Sequence, residues 1–418
     1  MTPVRVLVVA LLFPPYHTGA GRRLLGYAAD LSLRGVEFSV LSATPGPARI
    51  RAAGVTPDWQ GVPLGGLLPG ETRGGVAVHR VRLPDDGARR VRTAIFAAAT
   101  LREIRARRPD VVFLLEHSVE FLPVLGLCRA LGVATAVGYT LVLGPGPAAW
   151  RRPLERLLWP LPFNLADGIV ANGAVMASSL VELGVHRPVT VIPNGVPLAQ
   201  FHPCPNAAAR AALRGALGLD PERRSVLFAG AITPRKGPDL ALEAFARVAE
   251  TFPDTDLLLA GPWLDAPGRA PSEFSEGIRR QVAALGGRVR VLGQSSQMPE
   301  LLRVSDVLML ASSREGVPNV MLEAMASGCP VVTTRFVGLS GLGETNEPPS
   351  EGLRVTERAA EPLARGLADL LGSPEGAARQ AKVARAWVSQ AHDRGRTLDA
   401  YAGFFRSLAR ERRGVRAP

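Results

Sequence analysis

Lysine is almost absent from this chain, and arginine carries its basic charge. Of 49 basic residues, two are lysines, Lys236 and Lys382, so arginine supplies nearly all of the net charge of +12. A bias toward one basic residue points to genome composition, and no recognisable nucleic-acid motif accompanies it. We therefore expect no nucleic-acid partner. An acidic substrate or an anionic membrane surface suits the charge better.

Cysteine is scarce, and apolar runs of membrane-spanning length are missing. The three cysteines are scattered without metal-ligand spacing, which favours a reducing compartment and no disulfide framework. No run approaches the roughly 18 apolar residues that a membrane span needs. The apolar N-terminus ends at Pro14 and Pro15 without a signal-peptide cleavage pattern, so we expect a buried strand there. These features predict a cytoplasmic protein, at most peripheral on the cytoplasmic membrane face.

Patterns typical of buried strands alternate with helix-length segments along the chain, as in α/β proteins. With 418 residues the chain is long enough for two domains, and the alternation predicts two parallel sheets with right-handed crossovers. A Gly- and Pro-rich stretch at 45–84 breaks the rhythm and predicts a long loop with one strand. The expected strands are 4–10, 38–43, 76–83, 111–115, 135–138, 168–171, 189–192, 226–229, 257–260, 289–292, 307–310 and 331–333.

The most informative segment is 314–330. Glu315 and Glu323 stand eight positions apart, and a Gly-Val-Pro turn between them leads into a short helix that is apolar all round. Such a helix is buried, and burying a carboxylate without partners is costly, so Glu323 must face a cleft, a ligand or an internal donor. The free N–H groups at the helix start form an anion site. Two acids that bind hydroxyls beside a phosphate suit a nucleotide sugar.

This segment resembles the E-x7-E signature of the family 4 (group 1) retaining glycosyltransferases, which have the GT-B fold. Four further segments match that family in the same order, at 191–203, 227–245, 257–262 and 289–316. The resemblance implies an α/β protein of GT-B architecture, with two Rossmann-like, doubly wound parallel-sheet domains facing a cleft. Its implied parts are an acceptor domain at 1–193, a donor domain at 194–385 and a C-terminal helix at 386–418 that packs back on the first domain.

The resemblance also implies roles in donor binding. Glu315 would contact the sugar hydroxyls near the reacting centre, and Glu323 would bind the ribose. Lys236 would neutralise the diphosphate. Family members often carry an arginine where this chain has Ala231, and Arg235 offers a substitute unless its side chain points to solvent. The other donor-binding positions, which act mainly through the backbone, are Gly316, Val317, Asn319, Val320, Leu292 and Gly293.

Three residues in the first half are expected on the acceptor side. His117 falls where family members often carry a histidine that faces the donor sugar, and a purely structural histidine is the alternative. Gly19 and Gly21 follow the first strand and would let the backbone approach a phosphate or an acceptor closely. A third glycine of the dinucleotide fingerprint is missing, which disfavours a nicotinamide site. Together with Glu315 and Lys236, His117 completes the expected catalytic set.

The resemblance predicts sugar transfer from a UDP- or GDP-activated donor to a hydroxyl of a glycolipid, a lipid-linked saccharide or a polysaccharide precursor, with retention. No side-chain cluster has metal-ligand spacing, so we expect neither a metal nor another cofactor. The alternatives are a GT-B sugar-nucleotide epimerase or hydrolase, and a non-catalytic nucleotide-sugar-binding subunit. The arginine-rich apolar segments 89–108 and 150–163 suit an anionic lipid surface, unless they pack as ordinary amphipathic helices.

Overall fold

Two parallel sheets organise the residues that the computed structural model describes, which are 2–14, 19–44, 70–83, 89–140, 157–263, 272–336, 339 and 348–415. Packing divides the chain into two units. The first unit comprises 1–193 and 395–418, and the second comprises 194–394. The predicted limit after residue 385 falls inside the helix Pro374–Ala391, which lies within the second unit.

The sheet of the first unit has eight strands in the order β3-β4-β2-β1-β5-β6-β7-β8. All neighbours are parallel except β3 and β4, which are antiparallel. The strands expected from the sequence are present, and β3 is an addition within the stretch predicted as a loop, of which 45–69 lie outside the described residues. The strands are β1 (Val4–Ala10), β2 (Val36–Thr44), β3 (Gly70–Arg73), β4 (Val76–Arg82), β5 (Val111–Leu114), β6 (Ala134–Tyr139), β7 (Gly168–Ala171) and β8 (Val189–Val191).

The core of the first unit includes the last helix of the chain, Arg394–Val415. Phe405 of that helix is fully buried and packs edge-on against the rings of Phe38 and Phe113 on the sheet. Apolar side chains of this helix thus cover one face of the sheet. The α-helices described in this unit are Gly19–Ser32, Arg89–Arg107, Leu122–Leu131, Leu161–Leu165, Ala174–Glu182 and Arg394–Val415.

The sheet of the second unit has six parallel strands in the order β11-β10-β9-β12-β13-β14. Its inner strands are continuous apolar runs because helices cover both faces of such a sheet. The strands are β9 (Arg224–Ala229), β10 (Thr255–Ala260), β11 (Val289–Gly293), β12 (Val307–Leu310), β13 (Val331–Thr334) and β14 (Arg354–Thr356). The α-helices described are Ala207–Ala216, Pro238–Thr251, Glu273–Leu285, Met298–Val304, Asn319–Ala326, Ala360–Gly372 and Pro374–Ala391.

Glycines end three adjacent strands of the second sheet at its carboxyl edge. Gly230, Gly261 and Gly293 follow or close β9, β10 and β11, and the Gly261 N–H donates to the Gly293 carbonyl oxygen at 2.7 Å. A Cβ added at Gly261 would overlap the Gly230 carbonyl oxygen, so this edge tolerates no side chain there. Ligands bind at the carboxyl edge of a parallel sheet. At the ends of β9, β10 and β11 this edge presents backbone atoms without side chains.

Candidate active site

A cluster of three charged side chains lies beyond the carboxyl ends of β9 and β12. The Lys236 Nζ and one guanidinium nitrogen of Arg235 lie 2.7 Å and 2.8 Å from the same oxygen of Glu315. Glu315 is only 7% exposed. Burial raises the pKa of this carboxyl, but the two cations outweigh burial and hold the pKa below its usual value. Glu315 is therefore ionised, and its charge is neutralised within the protein.

The two loops that carry this cluster are docked on each other by backbone contacts. The Ser313 N–H donates to the Arg235 carbonyl oxygen at 2.9 Å and so joins the two loops. Within the loop after β9, the Lys236 N–H donates to the Thr233 carbonyl oxygen at 3.0 Å. Gly237 has a positive φ of 68°, and a Cβ added there would overlap the Ala311 carbonyl oxygen. Glycine is therefore required at this position for the loops to meet and for both cations to reach Glu315.

Glu323 has the opposite environment to Glu315. It lies on the helix Asn319–Ala326, whose other side chains are mostly buried. Within the described part of the chain, no hydrogen bond or ion pair reaches its carboxyl group, and burial raises its pKa to about 7. The side chain nevertheless keeps some exposure. An acid that is desolvated, unpaired and still accessible is suited to receive hydroxyl groups from a ligand.

The backbone beside Glu323 begins the helix Asn319–Ala326 with N–H groups outside its hydrogen-bond ladder. Met321 is the first residue of this helix whose N–H bonds back to the Pro318 carbonyl, so the N–H groups of Asn319 and Val320 precede the helical ladder. No side chain of the helix caps its start. Gly316 and Val317, in the turn before the helix, are buried, while Leu292 and Gly293 are half-buried at the end of β11.

His117, in the first unit, lies in an aromatic cluster. Its Nε2–H donates to the Trp159 carbonyl oxygen at 2.8 Å, and its ring stacks on Phe163 with an angle of 6° and a centroid distance of 4.7 Å. Burial lowers the pKa of His117 to about 4. The imidazole is thus neutral, with its proton on Nε2, and Nδ1 retains a lone pair that can accept a hydrogen bond.

The aromatic residues of segment 150–163 require a correction to the lipid-surface hypothesis. Phe163 is fully buried, and Trp159 packs against His117 with ring centroids 4.4 Å apart. Phe163 is therefore not available to a lipid surface, and the half-buried Trp159 packs within the first unit. The arginines at positions 151, 152 and 156, and Trp150, lie outside the described residues.

Gly19 and Gly21 lie at the start of a helix in the first unit. The helix Gly19–Ser32 begins at Gly19 itself, so Gly19 and Gly21 occupy its first turn. Among the described residues, an added Cβ at Gly19 would meet no atom within 4 Å. His17 and Thr18, which directly precede Gly19, lie outside the described residues.

Glu116 is a half-buried acid that sequence reasoning missed. Its carboxylate accepts hydrogen bonds from the N–H groups of Leu11 and Leu12, at 2.6 Å and 3.3 Å. Burial raises its pKa, while these two bonds oppose the shift. The carboxylate thereby anchors the backbone that leaves β1 toward Gly19. An acid directly after a buried strand was the available signal for this role.

Comparison with known proteins establishes the family. A model of group 1 glycosyl transferases matches residues 209–387, and a model of glycosyltransferase family 4 matches residues 17–200. A D-inositol 3-phosphate glycosyltransferase of Segniliparus rotundus is 31% identical over 386 residues, which cover 86% of this chain and 78% of that relative. The chain belongs to the family 4, group 1 glycosyltransferases. It is a retaining glycosyltransferase that uses a nucleotide-sugar donor.

Solved structures confirm the GT-B fold of this glycosyltransferase. Anabaena HepE superposes with a TM-score of 0.74 at 18% identity, over 97% of this chain and 100% of HepE. A sucrose-phosphate synthase of Thermosynechococcus elongatus superposes with a TM-score of 0.78 at 18% identity, over 97% and 99% of the two chains. Among the described residues, no helix is long and apolar enough to cross a membrane, and no group of three potential metal ligands occurs.

The desolvation of Glu323 predicts a pH-dependent stability. Its folded-state pKa of about 7 lies above the ordinary 4.5, so the folded protein binds more protons between these values, and stability falls as the pH rises through them. We expect Glu323→Gln to be nearly neutral at about pH 5 and to raise the free energy of unfolding by roughly 2–3 kcal/mol at about pH 8. Urea denaturation measures this difference.

The matched control for this measurement is Glu222→Gln, because Glu222 is exposed. Its effect on the free energy of unfolding should be the same at both pH values. A Glu323→Gln effect that is equally independent of pH would contradict an unpaired, desolvated carboxyl group at this position.

Proposed function

We propose that this glycosyltransferase moves a hexose from a UDP- or GDP-activated donor to a hydroxyl acceptor, with retention of configuration. The observation that carries the proposal is the contrast between two acids of one motif. Glu315 is neutralised by Lys236 and Arg235, whereas Glu323 is desolvated and has no partner among the described residues. A ligand that brings both a diphosphate for the cations and hydroxyl groups for the acids satisfies every one of these groups.

The donor diphosphate would bind at Lys236 and Arg235. These two cations face one carboxylate, so the cluster keeps a net positive charge when Glu315 is ionised. The N–H groups of Asn319 and Val320 would add an uncharged anion site at a helix start. The arrangement supports Arg235 as the substitute for the family arginine that Ala231 replaces, because its side chain reaches Glu315 rather than solvent alone.

The nucleoside and the sugar would occupy either side of the diphosphate. Glu323 would accept hydrogen bonds from the ribose, and Leu292 and Gly293 would hold the base through the backbone of the strand end. Glu315 would accept hydrogen bonds from the sugar hydroxyls. Anabaena HepE has been solved with UDP and with UDP-glucose, which supports a uridine donor here.

The proposed chemistry rests on positioning and charge stabilisation. The bond between the anomeric carbon and the diphosphate oxygen breaks, and Lys236 with the helix N–H groups stabilises the departing diphosphate. The acceptor hydroxyl attacks on the same face, forms the new glycosidic bond and gives its proton to the leaving phosphate. Lys236 and Arg235 would neutralise the diphosphate, which a divalent metal does in other transferases. We therefore propose a metal-free reaction.

The acceptor would be held by the first unit. His117 is neutral and presents only an accepting nitrogen, so it would bind a hydroxyl of the donor sugar or the acceptor and would not act as a proton donor. The helix start at Gly19, which is exposed while Gly21 is buried, would approach the acceptor. The relative from Segniliparus rotundus is named for D-inositol 3-phosphate, so this compound belongs in any acceptor panel beside glycolipid and lipid-linked saccharides.

A peripheral position on the cytoplasmic membrane face is the proposed location. The helix Arg89–Arg107 supports it, because exposed arginines and small apolar residues share one face of this helix. Val91 is 49% exposed, and the residues at helical spacing along the same face, Ala94, Ala98, Arg102 and Arg105, are all exposed as well. Such a face suits an anionic lipid surface.

Acceptor-dependent turnover tests the proposed function directly. We expect UDP-glucose or GDP-mannose to be consumed only when an acceptor from the panel is added, with release of the nucleoside diphosphate and a glycosylated product of retained configuration. Addition of EDTA should leave the rate unchanged. Donor consumption without an acceptor would favour the epimerase or hydrolase, and nucleotide binding without any turnover would favour the non-catalytic subunit.

Vesicle binding tests the proposed location. Co-sedimentation should require anionic lipid and weaken with added salt, because each engaged arginine contributes about 1 kcal/mol near such a surface. Replacing Arg102 and Arg105 with Ser should reduce it. Replacing Arg247 and Arg365, exposed arginines of the second unit, with Ser is the control and should leave it unchanged. Binding that ignores lipid charge would contradict the proposed location.

A further inference from the structure

Asn194 links the first residues of the second unit to the turn between the two glutamates. It is buried, with 4% of its surface exposed. Its side-chain Nδ2 donates to the Val317 carbonyl oxygen at 3.2 Å and to the Asn319 Oδ1 at 2.8 Å. A single amide group thus holds both residues that flank Pro318.

The turn held by Asn194 sets the direction of the helix Asn319–Ala326. Pro318 lacks an N–H group, and no side chain of the turn caps the helix start. The two bonds from Asn194 donate to oxygen atoms, so they hold the turn from outside the helix without capping the N–H groups at its start. Since the helix is short, a rotation at its start would redirect Glu323 at its middle and the N–H groups of Asn319 and Val320 together.

Asn194 is itself fixed by its backbone. The His392 Nδ1–H donates to the Asn194 carbonyl oxygen at 2.8 Å, and the Val196 N–H donates to the His392 carbonyl oxygen at 2.8 Å. Val196 also forms an isolated parallel bridge with Asp393. His392 is 2% exposed, so this support is buried. The chain of contacts runs from His392 through Asn194 to the turn that precedes Glu323.

We propose that Asn194 is a positioning residue for the nucleotide-sugar donor, an inference that rests on the proposed function. The amide does not need to touch the donor. It holds the helix start in the orientation in which Glu323 meets the ribose and the free N–H groups meet the diphosphate. Residues that act in this way change affinity by orienting groups that bind.

The test compares Asn194→Asp and Asn194→Ala with wild type in calorimetric titrations of UDP and of GDP. Aspartate keeps the shape of the side chain but loses both N–H donors, so we expect the nucleotide Kd to rise about tenfold, the change that the loss of one or two net hydrogen bonds produces. Donor KM should rise in parallel, while kcat changes less.

A double-mutant cycle with Asn319→Ala separates positioning from general destabilisation. Because Asn194 acts partly through Asn319, Asn194→Ala should cost less nucleotide affinity in the Asn319→Ala background than in wild type. Asn164→Asp is the matched control. The Asn164 amide of the first unit also makes two backbone bonds, to Gly184 and His186, and its loss should lower Tm without changing the Kd of UDP or GDP.

The outcomes separate this inference from the function on which it rests. Asn194 variants that lower Tm but bind both nucleotides as wild type does would overturn the positioning role alone. Additive effects in the cycle would likewise overturn it. A wild-type protein that binds neither UDP nor GDP would overturn the proposed function, and the positioning role with it.

Discussion

The neutralisation of Glu315 is the interaction on which the candidate site depends. A carboxylate with 7% exposure is tolerated only when charged partners meet it, and Lys236 and Arg235 do so at 2.7 Å and 2.8 Å. Meeting these partners requires two loops to dock, and Gly237 permits this because any larger residue would overlap Ala311. The conformation of the two loops and the ion pairs at Glu315 therefore depend on each other.

Glu323 is the opposite case. Its carboxyl group has no hydrogen-bond or ion-pair partner among the described residues, so it is left for a ligand to bind. Its raised pKa of about 7 records a desolvation that no described residue relieves. A helix as apolar as Asn319–Ala326 would be more stable with a neutral residue in that place. The protein thus keeps an acid where a ligand hydroxyl can meet it, and it holds the acid's helix in position through Asn194.

Most of the fold could be predicted from the sequence because its inner strands are continuous apolar runs with turn residues after them. The exceptions are β3 and β14, each at one edge of its sheet. Their sequences, GETR and RVT, are polar because an edge strand is not buried on both sides, so they carry no burial pattern. The family segments at 314–330 and 227–245 pointed to Glu315 and Lys236. The ion pair between these two residues joins segments that are distant in the sequence, as do the contacts of Asn194. Local patterns do not specify such contacts.

The most direct test of this account is the effect of Lys236→Ala on the affinities for UDP and for uridine, measured by calorimetric titration. Because the lysine is proposed to meet the diphosphate, UDP should bind roughly tenfold more weakly or worse, while uridine affinity should be unchanged. Lys382→Ala, which removes the other lysine at an exposed position, should leave both affinities unchanged. Equal losses for UDP and uridine, or no loss for UDP, would contradict the account.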